Sequence, residues 1–323
     1  MRTACTALQV NLVAGDLAHA RHLLPHQIAT WQDQVEKVVL TVDVRPGTGR
    51  YAVPPGAQDA FARLLDDVRD AAPLPVEVHE VDDGPEARAE VSTRYLGGVP
   101  GPIRDSHGAP FHGYLAGLAS TEARYVLHVD SDMLFGGGSA TWLAEAVAEL
   151  ERDDHLLLAG PLGGPPTSDG RPRVDVLAAA AVAQPFSAAP SPTSTGIRLR
   201  FTHATTRCFL VDTERLEHHV IPLHPTAPSR LSTRSPGVAP LEVCLSRLMH
   251  EQGLQRLDLL GAAPGMWSLH PPFRGAAFLE GLPALLAVVE RGDVPEAQRG
   301  DHDLNDSMVD WSRPRRARRR WER

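Results

Sequence analysis

The feature that most restricts this chain is an alternation of two periodicities. Ala7–Val13 has strand content and stops at the turn Ala14-Gly15-Asp16. His19–Trp31 then sets Leu23, Leu24, Ile28 and Trp31 at helical spacing. Val38–Val42 is a β-branched run that ends at Asp43, ahead of the turn Arg45-Pro46-Gly47; Gln58–Val68 is helical again, and Val76–Val81 reads as a third strand. Further on, Phe111–Ala119 is predicted as a helix, Tyr125–Val129 as a strand and Leu156–Ala159 as a buried strand. Ser139, after the glycines Gly136 to Gly138, is the expected N-cap of a helix through Leu150. Strands that alternate with helices in this way specify an α/β fold with a central, mostly parallel mixed sheet flanked by helices.

Composition narrows the class of molecule. A chain of 323 residues with 42% hydrophobic and 22% charged side chains can bury a substantial core without staples. Cys5, Cys208 and Cys244 are odd in number, far apart and without CxxC spacing, so they read as reduced thiols of a cytoplasmic protein. The N-terminus lacks the pattern of a signal peptide, and the longest apolar runs, Val176–Ala183 and Leu282–Val289, fall short of the ~20 residues that cross a bilayer. Residues 313–323 hold seven arginines and one acid, a local charge of +6 against −8 for the whole chain, which leaves the rest at −14. An acidic body is no general polyanion binder, and no nucleic-acid partner is expected. The basic end is read as a solvated, disordered tail over 301–323; it could touch an anionic membrane, but that is the less favoured reading.

The most informative segment is Tyr125-Val126-Leu127-His128-Val129-Asp130-Ser131-Asp132. Ligands of open α/β sheets bind beyond the carboxyl ends of the strands. Residues two apart on an extended chain share a side, so Asp130 and Asp132 would aim two carboxylates into one crevice. Two hard oxygen donors without thiols suit Mg²⁺ or Mn²⁺ shared with substrate phosphates. The plainer alternative is that D-x-D is simply a turn or a helix cap.

The stretch Gly113–Phe135 resembles part of a known enzyme family. A helix followed by "EARYVLHVDSDMLF" resembles the centre of family 2-type glycosyltransferases of the GT-A fold, and the likeness runs loosely in order from about residue 7 to 273. It implies a metal-dependent, inverting transferase acting on a nucleotide-diphosphate sugar. It would make Asp43 a nucleobase contact, Asp130 a ribose or metal contact and Asp132 the direct metal ligand. Leu241-Glu242-Val243-Cys244-Leu245-Ser246-Arg247-Leu248, ending at Gly253, resembles the family helix whose opening acid serves as general base. Aligned on Gly253, Glu242 takes that role, while Leu241 stands where another acid is usual. Met266-Trp267-Ser268-Leu269-His270-Pro271 resembles the segment whose histidine completes the metal site. The family's Ala-Arg-Asn segment is replaced here by Phe111-His112-Gly113-Tyr114-Leu115.

Each assignment has a plainer counterpart. Glu242 could be an ordinary first-turn acid favoured by the helix dipole, and His270 a half-buried histidine between Leu269 and Pro271. Arg88, Arg94 and Arg104 are candidates to surround the nucleotide, and Arg230 and Arg234 to close over it from a loop. The expected organisation is one domain over residues 1–300, with a nucleotide-binding part to about 135 and an acceptor-binding part from 136 to about 282. Gly163–Arg173 and Gln184–Gly196 are expected as loops, and Gly163–Gly196 together with the loop before Glu242 is expected to select the acceptor, whose identity stays open. Two rival functions remain: a catalytically inactive binding or scaffold protein, and a sugar nucleotidyltransferase. The second would need a glycine-rich N-terminal loop with a basic residue, and Ala14-Gly15-Asp16-Leu17 supplies one glycine and an acid.

Overall fold

The computed structural model describes residues 5–45, 53, 56–167, 191–192, 197–226 and 237–321. The amino half follows the expected alternation closely. It runs β1 (Thr6–Val13), α1 (Leu17–Trp31), β2 (Lys37–Asp43), α2 (Ala57–Ala71), β3 (Val76–Glu80), α3 (Pro85–Tyr95), α4 (His112–Ser120) and β4 (Tyr125–Asp130). Then come β5 (Leu134–Gly136), α5 (Trp142–Arg152), β6 (Leu156–Gly163), β7 (Ser191–Pro192), β8 (Arg198–Phe201), β9 (Cys208–Asp212) and the short α6 (Thr213–Glu217). The chain continues through β10 (Pro225–Thr226), β11 (Gly237–Val238), α7 (Leu241–Gln252), β12 (Gln255–Leu259), β13 (Trp267–Leu269), α8 (Ala276–Arg291) and α9 (Ser312–Trp321).

The main sheet has the order β3-β2-β1-β4-β9-β6-β12-β8-β7. Its β3-β2-β1-β4 half is parallel throughout, and β6 and β12 are parallel to each other. β9 runs antiparallel between β4 and β6, and β8 antiparallel beside β12. The sheet is therefore mixed and mostly parallel at its centre, as the alternation implies. Both faces are covered, which is why the strands are almost continuously apolar. Leu8, Val10 and Leu12 of β1 pack with α1, α2 and α5 on one face. Ala7 and Val126 meet α3, α4 and α7 on the other. A third apolar cluster joins β13 and α8 to Trp311.

The strand order fixes where a ligand can enter. β1, β2 and β3 step outward in one direction, whereas β4 lies on the opposite side of β1. The crevice between the carboxyl ends of β1 and β4 is thus a topological switch point, the usual binding place in an open α/β sheet. In register, Asn11 faces Asp130 and Val13 faces Asp43, so the ends of β2 and β4 flank the end of β1.

β8 and β9 sit at different places in the sheet, and residues 202–207, polar and without alternation, cross between them. Two expectations need correction. The helix after the glycines starts at Trp142 behind Thr141, and Ser139 is instead fixed by its own N–H to the Gly265 carbonyl at 2.9 Å. That docking brings Gly137 (φ 92°) against Gly265, where a Cβ would collide with the carbonyl. Lastly, residues 301–316 are not a disordered tail. Leu304 and Trp311 are fully buried beside Phe273 and Phe278, and Trp311 Nε1 donates to the Leu304 carbonyl at 2.6 Å. The density of arginines hides these two anchors. Of the expected loops, residues 168–173, 184–190 and 193–196 lie outside the described residues, as do Arg230 and Arg234.

Candidate active site

The turn after β4 is held from beneath by α1. Gln27 Nε2 donates to the Asp130 carbonyl at 3.0 Å and to that of Met133 at 2.9 Å, and Met133 N–H returns to the Asp130 carbonyl at 3.2 Å. This turn presents Asp130 and Asp132 in different surroundings. Asp130 is partly exposed and accepts the Tyr114 hydroxyl at 2.7 Å. Tyr114 is a residue of the segment that stands in place of Ala-Arg-Asn. Burial and the charges of Asp130, Asp132 and Glu242 hold its phenol well above the usual range, so it stays a proton donor.

Asp132 is buried, and neither carboxylate oxygen has a hydrogen-bond donor among the described residues. His270 Nε2 lies 3.7 Å from its Oδ2, and Arg274 Nε 2.9 Å from the same oxygen without hydrogen-bond alignment. Burial alone would raise the carboxyl, but His270, Arg274, His19 and Arg207 outweigh it and hold Asp132 below its usual range. His270 is in turn oriented by Asp303, whose Oδ1 accepts from Nδ1 at 3.1 Å and also meets Arg207 Nη1 at 3.0 Å. The imidazole therefore turns its Nε2 edge toward Asp132.

On the amino side, Asp16 closes the turn after β1. Its Oδ2 accepts the Val13 N–H at 3.0 Å, and its Oδ1 receives Arg274 Nη1 at 3.1 Å. Burial raises the Asp16 carboxyl, against the opposing charges of His19 and Arg274. Burial likewise lowers His19, whose Nε2 is 3.1 Å from Ser131 Oγ.

The polar layer beneath the crevice is a network on one face of β1. Gln9 Oε1 accepts from His128 Nδ1, while Gln9 Nε2 donates to Asn11 Oδ1 at 2.7 Å and Thr41 Oγ1 at 2.9 Å. Gly117 of α4 lies directly over it, and a Cβ there would stand 2.6 Å from Gln9 Nε2.

The remaining candidates divide. Asp43 is at the expected strand end but is fully engaged: Arg45 makes a two-point contact at 2.8 and 3.0 Å, and Arg104 Nη2 reaches Oδ2 at 3.3 Å. Arg104 thus joins Asp43, and a base could reach this carboxylate only in exchange for one of the arginines. Arg88 donates to the Gly101 carbonyl at 3.1 Å, and Arg94 pairs with Glu217 at 2.8 Å; both hold local structure.

Glu242 lies in the first turn of α7, with Oε2 accepting the Thr206 N–H at 3.3 Å. Leu241 is buried in the core, so of the two opening positions only Glu242 reaches the open side. It lines a cavity of about 540 Å³ together with Phe201, His203, Arg207, His302 and Asp303. Arg207 and Asp303 connect this cavity to His270 and so to Asp132. The structure hence brings Asp130, Asp132, His270 and Glu242 to one end of the sheet. Sequence reasoning missed Tyr114, His19, Arg274 and Asp303; a strand-end acid pair predicts that partners exist, not which residues they are.

Among the described residues, no group of three His, Cys, Asp or Glu side chains converges closely enough to hold an ion by itself. Asp132 and His270 supply two donors, which fits a Mg²⁺- or Mn²⁺-type ion completed by phosphate oxygens and water. The donor-less carboxylate oxygens of Asp132 favour such an ion. Among the described residues, no helix is long and apolar enough to cross a membrane.

No family model matches the chain, and no curated protein matches it. Among solved structures it is similar to residues 1–349 of TarS from S. aureus, at 14% identity and a TM-score of 0.40 over 91% of this chain and 67% of that one. A mycobacterial protein is similar at 15% identity, with a TM-score of 0.38 over 89% of this chain and 73% of that one. The galactosyltransferase LgtC, solved in complex with donor and acceptor sugar analogs, is similar at 10% identity, with a TM-score of 0.32 over 66% of this chain and 60% of that one.

Proposed function

We propose that the chain is a glycosyltransferase that moves a sugar from a nucleotide-diphosphate donor to an acceptor hydroxyl or amine. The observation that carries this reading is the Asp132 carboxylate, buried without a hydrogen-bond donor among the described residues, at a switch point next to the cavity that Glu242 lines. The donor diphosphate would lie beyond β1 and β4, and the acceptor in the cavity. Asp132 and His270 would hold a divalent ion, which when bound neutralises charge on the departing diphosphate.

In the inverting form, the acceptor oxygen bonds to the anomeric carbon as the bond from that carbon to the diphosphate oxygen breaks. Glu242 takes the acceptor proton, and the nucleoside diphosphate leaves with the electron pair. Tyr114, kept protonated, steadies Asp130 beside the donor.

The test is a panel of UDP-, GDP- and dTDP-sugars offered with and without Mn²⁺, read as binding. Glu242→Gln should bind the donor as the parent does and lose turnover. Failure of every nucleotide to bind with metal defeats the reading, and normal turnover by Glu242→Gln defeats the base assignment. A binding protein without turnover is the second reading, favoured by the arginines that already engage Asp43 and Asp132. Donor binding with no transfer to any acceptor would support it.

A further inference from the structure

Asp132 already carries a cation. Its side chain is 2% exposed, whereas Arg274, whose Nε stands 2.9 Å away, is 47% exposed. Both carboxylate oxygens are closed off from solvent. The carboxylate is also the immobile partner, since the turn that bears it is pinned by Gln27. The guanidinium lies in the connection between β13 and α8 and bridges two buried acids, with Nη1 on Asp16 Oδ1 at 3.1 Å. A fixed, buried anion beneath a half-solvated cation has the form of a removable cap.

We propose that Arg274 is the built-in counter-cation of Asp132, and that a divalent ion reaches Asp132 only by displacing it. The inference rests on the reading of Asp132 as a metal ligand. Its physical basis is competition. A buried carboxylate is costly to leave ionised without a partner, so the resting protein supplies one covalently tethered to the site. An incoming ion gains its attraction to Asp132 minus the contact that Arg274 gives up. Free metal should therefore bind weakly. Metal accompanied by a diphosphate, which brings its own negative charge, should bind far better. Entry of the ion and release of Arg274 from both Asp16 and Asp132 become one event, so the metal seat forms when the donor arrives.

The experiment measures Mn²⁺ binding to the full chain without nucleotide, by the loss of the free-ion electron paramagnetic resonance signal. Arg274→Met should bind Mn²⁺ about tenfold or more tightly than the parent, the scale of one charge-assisted contact to a buried carboxylate. Arg274→Lys, which restores a charge, should stay near the parent. Arg274→Gln provides a neutral amide donor for Asp132 and should also gain affinity; it decides the question if Arg274→Met does not fold. Adding Asp132→Asn to the tighter variant should abolish the gain. Equal Mn²⁺ affinity in the parent and both neutral variants, with Asp132→Asn weakening all three, overturns the counter-cation while leaving Asp132 a metal ligand. No Mn²⁺ binding by either neutral variant, or a gain that survives Asp132→Asn, overturns both.

Discussion

His270 and Asp303 meet at 3.1 Å, Nδ1 to Oδ1, and a parallel bridge joins the two residues along the backbone. His270 N–H donates to the His302 carbonyl at 3.0 Å, and Leu304 N–H to the His270 carbonyl at 2.9 Å. Residues 302–304 are thus tied to the site through a single β-bridge and its flanking hydrogen bonds. A carboxylate behind a metal-directed imidazole fixes its tautomer and raises its basicity.

Asp303→Ala should consequently weaken Mn²⁺ binding by roughly 10–100-fold, the range found for removal of such supporting groups. Asp303→Asn keeps an acceptor for Nδ1–H and should lose much less. Titration of Mn²⁺ in the presence of nucleoside diphosphate checks both, and equal losses in the two variants would assign Asp303 a charge effect in place of an orienting one.

The uneven legibility of the site has a physical cause. Asp130 and Asp132 were readable because an apolar strand ending in two acids is a local pattern, and Glu242 because Gly253, the left-handed C-cap at φ 67°, marks where its helix ends. Arg274 and Asp16 are 258 residues apart, and His19 and Ser131 are separated by 112; no local pattern records such pairs. Asp43 shows the converse difficulty, since its position followed from the strand but its capture by Arg45 and Arg104 depends on a loop closing back. The basic end misled because charge counting passes over Leu304 and Trp311, two residues that bury enough surface to order it.

Gly117 is the point where α4 rests on the Gln9 network, and Gly117→Ala should cost about 1–3 kcal/mol, as overpacking of a tight interior does. The added methyl would stand 2.6 Å from Gln9 Nε2, 3.0 Å from Thr41 Oγ1 and 3.1 Å from Asn11 Oδ1. Chemical unfolding with urea measures the loss. A change within about 0.5 kcal/mol, the range of ordinary surface substitutions, would mean that the network has room to shift.

Trp311 is the anchor of the carboxyl-terminal segment, fully buried with its indole N–H donating to the Leu304 carbonyl. Trp311→Ala should cost about 3–5 kcal/mol if the segment stays attached to the core through the cavity left behind. A smaller cost, with proteolysis appearing near residue 300, would mean that the segment detaches instead, taking Asp303 from His270. Limited proteolysis with mass spectrometry, run beside the urea titration, separates the two outcomes.

His203 sets a pH dependence of stability. Burial, followed by the charge of Arg256, lowers its imidazole to about 3 from an ordinary 6.5. Its Nδ1 is buried without a partner among the described residues, and its ring packs edge-on to Phe201 at 5.3 Å. The folded state therefore refuses a proton that the unfolded chain accepts. Above pH 6.5 both states are neutral here and the residue leaves stability unaffected. As pH falls from 6.5 toward 3, the unfolded chain gains the proton first and stability drops. A full difference would cost about 1.4 kcal/mol per pH unit, and incomplete burial brings the expected slope nearer ~1 kcal/mol. His203→Phe removes the titrating group and keeps a ring against Phe201, so its stability should fall less steeply between pH 6.5 and 4.5. Urea midpoints collected across that interval for the two proteins test the assignment, and parallel slopes would place the acid sensitivity elsewhere.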